Sequence, residues 1–201
     1  IRFVSPHPKD FSDELINLIA REEKISKCIH LPLQSGSSEI LRRMNRKYNK
    51  EQYLALADKI RKAIPDVLFT TDIIVGFPGE TEEDFLDTMD VVRKVRYYSA
   101  FTFVYSRRVG TPADKMPDQI DEGVKSERIG RLINLVNDIL EEENEKLVGT
   151  VQKVLVEGYS EKNDEMLTGR TDGGKVVNFE GEPEVIGKMI KLKITEQRKW
   201  Y

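Results

Sequence analysis

Gln34 and Asp72 are the side chains in this sequence best suited to hold the paired hydroxyls of a ribose. A carboxylate accepts two hydrogen bonds, and a carboxamide both accepts and donates. Each sits at the edge of an apolar run. Gln34 closes Ile29-His30-Leu31-Pro32-Leu33 and opens the Ser35-Gly36-Ser37 turn. Asp72 leads Ile73-Ile74-Val75 into Gly76-Phe77-Pro78-Gly79. Ser5 and His7 follow the first apolar run, and Tyr105-Ser106 the fourth. At any single one of these positions, service to turn backbone or helix capping is the better account. Their recurrence at strand ends points to a shared site, because ligands collect at that end of parallel sheets and barrels. The basic run Arg42-Arg43-Met44-Asn45-Arg46-Lys47 either grips a carboxylate or phosphate near that rim or forms a solvated helix end that favours cations. Composition leaves both open.

Other chemistries find no residues. His7 and His30 have no Cys, Asp or Glu partner at metal-ligand spacing. His30 lies in an apolar strand and reads as a hydrogen-bonded core histidine. Cys28, the single cysteine, reads as a buried, inert thiol, and one thiol cannot hold an iron–sulfur cluster. There is no G-x-S-x-G elbow, Walker loop or H-E-x-x-H pattern, and Gly76-Phe77-Pro78-Gly79 is not a dinucleotide fingerprint. No catalytic residue and no metal ligand is assigned.

The rim residues need a scaffold, and the apolar pattern supplies one. Strands are expected at residues 1–4, 29–33, 67–75 and 100–105, with 73–75 buried on both faces. A helix capped by Asp10 or Ser12 carries Phe11, Leu15, Leu18 and Ile19 on one face. Ser37 opens a short helix reaching Met44. An Asn49–Gln52 capping box starts the next, which buries Tyr53, Leu56, Ala57, Ile60 and Ile64. Thr81, with Asp84 at the reciprocal position, caps a helix turning Phe85, Met89 and Val92 inward. Such alternation makes βαβ units and a parallel sheet. Gly76 and Gly79 are expected to let the turn approach a bound molecule. After a loop at 107–117, a helix over 121–147 presents Ile129, Leu132, Leu135, Val136 and Ile139 on its apolar face. Strands at 151–157, 166–171, 175–179 and 188–195 then form a small barrel-like all-β module. The expected domains are residues 1–147 and 148–201.

The chain has 201 residues, 39% hydrophobic and 33% charged, enough for one core plus a small module. A net charge of −3 gives no global pull toward nucleic acid or anionic lipid, so any such contact needs a local patch. The β module offers Lys153, Arg170, Lys175, Lys188, Lys191 and Lys193. Lys191 and Lys193 alternate with Ile190, Leu192 and Ile194 and so project away from its core, which suits phosphate contact. Residues 145–201 carry ten basic and ten acidic side chains, however, and charge alone favours a plain solvated face. No apolar run is long enough to span a bilayer, and the N-terminal run is no signal peptide. A single cysteine suits a cytosolic protein. Four strands are few for a closed barrel, and a start inside an apolar run without Met reads as a piece of a longer chain.

Ile29 to Ser37, Met44-Asn45-Arg46-Lys47-Tyr48, residues 70–81 and Gly110-Thr111-Pro112-Ala113, in that order, resemble the methylthiotransferase family of radical SAM (S-adenosylmethionine) enzymes. Within it they resemble the branch acting on N6-isopentenyladenosine beside the tRNA anticodon. Thr168-Gly169-Arg170-Thr171 and Val176-Val177-Asn178-Phe179-Glu180-Gly181 resemble a TRAM domain. The resemblance implies an α/β fold, a partial radical SAM (βα) barrel followed by a small all-β TRAM domain. It implies that Gln34, with Ser35, and Asp72 hold the SAM ribose, and that Arg46 holds the methionyl carboxylate. Ile74 and Gly76 would line the adenine, and Tyr105 and Ser106 would close the rim. TRAM would hold tRNA through Arg170 and Lys175, with Lys191 and Lys193 beside them. The family's two [4Fe–4S] clusters need cysteines this chain lacks. The implied picture is thus a cytoplasmic enzyme, away from membranes, with SAM as cofactor and tRNA as partner. This piece would be inactive without the N-terminal part of the same protein. Alternatives within the resemblance are a ribosomal-protein aspartate or threonylcarbamoyl-adenosine as substrate; outside it stands a non-catalytic RNA-binding module.

Overall fold

The computed structural model describes residues 1–2, 7–161 and 163–197. The strand expected at residues 1–4 runs onto positions outside that set, as does Ser5 of the expected rim. The chain divides into two compact units, Ile1–Leu140 and Glu141–Tyr201.

In the first unit, α1 (Asp13–Arg21), β1 (Cys28–His30), α2 (Ser38–Arg43), α3 (Lys50–Ala63), β2 (Leu68–Val75), α4 (Glu82–Val95) and β3 (Ser99–Val104) alternate, and α5 (Glu122–Glu145) begins there. The strands form a parallel sheet in the order β1-β2-β3. Ser12, not Asp10, caps α1 by accepting from the Leu15 N–H; Asp10 closes a 3-10 turn at Pro8–Asp10. Asn49 with Gln52, and Thr81 with Asp84, each form the expected capping box. β1 is shorter than expected because Pro32 has no N–H to give the ladder. Pairing resumes two residues later as a parallel bridge between Gln34 and Ile73.

β2 is not buried on both faces. Phe69, Thr71, Ile73 and Val75 are each 1% exposed or less and face the helices. Around them pack Ile29, Ile60, Phe85 and Val92. Fully burying each such side chain stabilises by about 1.5–3 kcal/mol. Thr70, Asp72 and Ile74 alternate onto the other, partly exposed face. Their register partners in β3 share it, and Phe101 and Phe103 are 56% and 51% exposed. Three apolar residues in a row concealed the alternation, since strand neighbours point to opposite faces whatever their polarity.

In the second unit, β4 (Val151–Ser160), β5 (Asn163–Thr171), β6 (Val176–Phe179) and β7 (Met189–Lys193) form an antiparallel sheet in the order β6-β5-β4-β7. A register shift between Val156 and Gly158 bends β4. Val154, Val156 and Leu167 make its buried side. Among the described residues, no helix is long and apolar enough to cross a membrane.

Candidate ligand rim and basic sheet face

The backbone joins Gln34, Asp72 and Ile74 directly. The Gln34 N–H donates to the Asp72 carbonyl at 2.8 Å, and the Ile74 N–H donates to the Gln34 carbonyl at 2.8 Å. Gln34 sits at φ 65°, a left-handed conformation that costs a non-glycine residue about 1–3 kcal/mol and that these two bonds over-determine. The Asp72 carboxylate meets His30: Nε2 lies 3.3 Å from Asp72 Oδ2, and Nδ1 lies 2.9 Å from Thr70 Oγ1. His30 is therefore no core histidine. It belongs to the open face, where it pairs in register with Thr70. Sequence reasoning missed it because a lone histidine among apolar residues shows no partner until two strands are aligned.

Ser35 is spent on the turn. It is 1% exposed, its Oγ lies 3.4 Å from Thr88 Oγ1, and it accepts from the Ser37 N–H at 3.2 Å. Gly36 donates to Thr88 Oγ1 at 2.9 Å, and a side chain there would strike the backbone of Asp87 and Thr88. Ser37 caps α2 and donates to Asp84 at 2.5 Å. Burial pushes the Asp84 carboxyl up, but hydrogen bonds from Ser37 and Thr81 outweigh it and hold it below the usual range. The left-handed Gln34 is thereby anchored to α4.

The basic run separates into individual roles. Arg42 pairs with Glu39 at 2.6 Å, Arg43 with Asp118 at 2.5 Å and with the Pro78 carbonyl at 3.0 Å, and Lys47 with Asn45 at 2.8 Å. Among the described residues the Arg46 guanidinium has no ion pair or hydrogen bond, including to Gln34 or Asp72. Its segment is tethered to the rim by Tyr48, whose hydroxyl donates to the Pro32 and Leu33 carbonyls at 3.2 and 3.1 Å. Burial pushes the Tyr48 phenol up to about 12. The structure thus joins the backbones of Gln34, Asp72 and Ile74, with the Gln34 side chain buried, and brings Arg46 only by that tether.

Gly76 and Gly79 adopt φ 73° and 81°, and the space on their Cβ side is filled by the protein's own side chains. A side chain at Gly76 would run into Lys125, and one at Gly79 into Arg43 and Asp118. Glu80 locks the turn: Oε2 accepts from the Gly76 N–H at 2.8 Å, and Oε1 pairs with Arg128 at 3.0 Å. Burial raises the Glu80 carboxyl above its ordinary range despite that arginine. Tyr105 attaches to the turn through its N–H on the Val75 carbonyl at 2.8 Å and stacks edge-on against Phe77. Its hydroxyl is buried without a hydrogen-bond partner among the described residues, an unmet need that a bound ligand can meet. Ser106 is exposed. The locking residues Glu80, Lys125 and Arg128 carried no sequence signal beyond their charge.

On the β sheet, Arg170 donates to Glu157 at 3.0 Å and to the Gly174 carbonyl at 3.3 Å. Lys175 is half-buried, and burial pulls its ammonium down to about 8. Lys191 stands opposite Lys153, and Lys193 opposite Val151, all exposed. Among the described residues Lys153, Lys191 and Lys193 have no ion pair. Lys153 was visible in the sequence as one cation among several; the antiparallel register that sets it against Lys191 was not.

Among the described residues, no group of three or more His, Cys, Asp or Glu could hold a metal. Cys28 is half-buried rather than buried. Iron–sulfur clusters do not fit the residues present.

The chain matches the Radical SAM superfamily over residues 1–92 and the TRAM domain over residues 145–201. It is similar to proteins named tRNA-2-methylthio-N(6)-dimethylallyladenosine synthase. That of Thermoanaerobacter pseudethanolicus is 54% identical over 100% of this chain and 42% of its own length. That of Fusobacterium nucleatum is 56% identical over 100% and 46%, and that of Clostridium botulinum strain Alaska E43 is 56% identical over 98% and 43%. The chain thus spans less than half the length of these relatives. Among solved structures, coproporphyrinogen III oxidase (HemN) from Escherichia coli, described as a radical SAM enzyme, shares the fold at a TM-score of 0.56 and 13% identity, over 86% of this chain and 49% of that one. With its strand-end rim followed by an antiparallel sheet, the chain belongs to the radical SAM methylthiotransferase family, as a stretch joining part of the radical SAM domain to a TRAM domain.

Proposed function

We propose that this chain supplies part of the SAM wall and the RNA-binding module of an enzyme that methylthiolates C2 of N6-isopentenyladenosine in tRNA, next to the anticodon. The observation that supports the SAM half is the backbone junction of Gln34 with Asp72, which brings a residue bearing an amide against the strand that presents a carboxylate on its open face. That pair matches the two hydroxyls of a ribose. Ile74 shares the open face of β2 with Asp72, Tyr105 follows the neighbouring strand β3, and its buried hydroxyl would gain a partner from the bound ligand. Arg46, tethered nearby and not engaged in an ion pair among the described residues, takes the methionyl carboxylate. Gly76 and Ser35 support the rim through backbone and turn. When bound, SAM supplies the radical that opens the C2–H bond and, from a second molecule, the methyl group. This chain's residues bind and orient; the clusters belong to the part of the protein that the relatives' greater length represents.

Residues 148–201 act as the RNA module. Lys153, Lys191 and Lys193 present an unneutralised cationic edge suited to phosphates, with Arg170 and Lys175 beside them. A tRNA substrate places the protein in the cytoplasm. Nucleoside analysis of tRNA from a strain lacking this gene tests the reading. We expect methylthio-isopentenyladenosine to disappear and isopentenyladenosine to accumulate. Undiminished methylthio-isopentenyladenosine would overturn it.

A further inference from the structure

We propose that His30 is a positioning residue for the nucleoside site: it holds one oxygen of Asp72 so that the other faces the ligand. The inference rests on the reading of Asp72 as a ribose-holding residue and adds a residue to it. His30 lies on β1, beside β2, and its ring reaches both Thr70 and Asp72, which alternate onto the same face. Nδ1 is 2.9 Å from Thr70 Oγ1 and Nε2 is 3.3 Å from Asp72 Oδ2. A neutral ring with its proton on Nδ1 would set the Nε2 lone pair against a carboxylate oxygen. The neutral ring with its proton on Nε2 instead donates a hydrogen bond to Asp72 and accepts one from the Thr70 hydroxyl. The doubly protonated ring donates to both. In each compatible state Asp72 Oδ2 accepts a hydrogen bond from His30 Nε2–H, and Thr70 fixes the ring plane.

Among the described residues, Asp72 Oδ1 has no partner. The carboxylate is thus divided: one oxygen is bound to the protein and the other is open. The His30 and Asp72 side chains are 14% and 31% exposed, so water competes only partly for this bond. Phe101, whose ring centre lies 6.3 Å from that of His30, flanks the imidazole on the β3 side. An aspartate held this way meets a diol without first losing rotamer freedom. Without His30, both oxygens are free to turn, and binding must order them.

Calorimetric titration of the full-length protein with S-adenosylhomocysteine, a non-reacting nucleoside probe, tests this. We expect His30→Ala to weaken binding about tenfold, as loss of a hydrogen bond to a charged group does. Asp72→Ala should weaken it at least as much. The double variant should be no weaker than Asp72→Ala alone, because His30 acts through Asp72. His30→Gln, whose amide nitrogen reaches the same oxygen, should recover most of the loss and guards against a variant that fails to fold. Losses that add independently in the double variant would overturn the proposal. So would unchanged affinity in His30→Ala, or a folded His30→Gln as weak as His30→Ala. Unchanged affinity in Asp72→Ala would instead remove the ribose reading on which the proposal stands.

Discussion

The turn at residues 76–80 and the outer face of the β4–β7 sheet handle charge in opposite ways. In the turn, Glu80 and Arg128 are 3% and 6% exposed at the side chain and meet at 3.0 Å. Arg128 also donates to the Glu80 backbone carbonyl at 3.0 Å, and Phe85 lies under it. Lys125, 4% exposed at the side chain, reaches Glu122 at 2.7 Å. On the sheet, Lys153 and Lys191 face each other across strands, exposed. Like charges directly opposite are destabilising. A buried charge without a partner costs several kcal/mol, so the turn supplies partners. Water screens the lysines, so the sheet can keep them unneutralised and available to an anion. The comparison separates charges that fix a backbone from charges left open to solvent and to any anion.

The strongest way to test the first half of that contrast is Arg128→Ala. It leaves the buried Glu80 carboxylate without its cation, and we expect a loss of about 3–5 kcal/mol in urea unfolding at neutral pH. The pH dependence has a definite sign. Burial already raises the Glu80 carboxyl in the folded state, so this group's contribution to stability falls as pH rises from 4.5 through the raised value. Removing Arg128 raises it further. The deficit of Arg128→Ala should therefore shrink as pH is lowered toward the carboxyl range, where Glu80 is protonated and no charge is stranded. A deficit that stays constant with pH, or is below about 1 kcal/mol, would show that the pair does not hold the turn.

What the sequence made legible follows the same division. Helix caps depend on residues three apart in the chain, and both capping boxes were readable for that reason. The Gln34 turn was readable from where an apolar run stops, whereas Asp72, expected at a strand end, lies inside β2 because the strand pairs on through Val75. The partners of Glu80, Gly76 and Gly79 lie on α2, α5 and at Asp118, and local pattern cannot register them. That is why the packing of Lys125 against Gly76 and of Arg43 against Gly79 was not legible. His30 was misread for a related reason: its partners lie forty or more positions away on β2. Lys191 and Lys193 could be assigned to a face by alternation, whereas the confrontation of Lys191 with Lys153 needed the register.

The second half of the contrast is tested by Lys191→Ala and Lys153→Ala in the full-length protein, with tRNA affinity measured across a salt series. Each cation that contacts phosphate releases about one counterion, so the slope of log affinity against log salt should fall by about 1 for each variant. Affinity should weaken similarly for matched and unmatched tRNAs, because phosphate contact carries no sequence information. Unfolding stability should hold or rise slightly, since one of two facing like charges is gone. A slope that stays the same in both variants would return this face to plain solvation.

Arg170 lies between the two regimes, and it yields the smallest effect. It is exposed like the lysines, yet it is paired like the turn, with Glu157 at 3.0 Å and side-chain exposures of 50% and 42%. Exposed pairs of this kind contribute about 0–1 kcal/mol, so Glu157→Gln should change unfolding stability by less than about 0.5 kcal/mol. Its effect on RNA is more informative than its effect on folding. If Arg170 contacts phosphate, Glu157 competes with the RNA for the same guanidinium, and Glu157→Gln should tighten tRNA binding about twofold and steepen the salt slope slightly. Arg170→Ala should then abolish that gain. If Glu157→Gln leaves affinity and slope unchanged while Lys191→Ala reduces both, Arg170 belongs with the charges that hold backbone, through its bond to the Gly174 carbonyl, and the RNA face contracts to the lysines of β4 and β7.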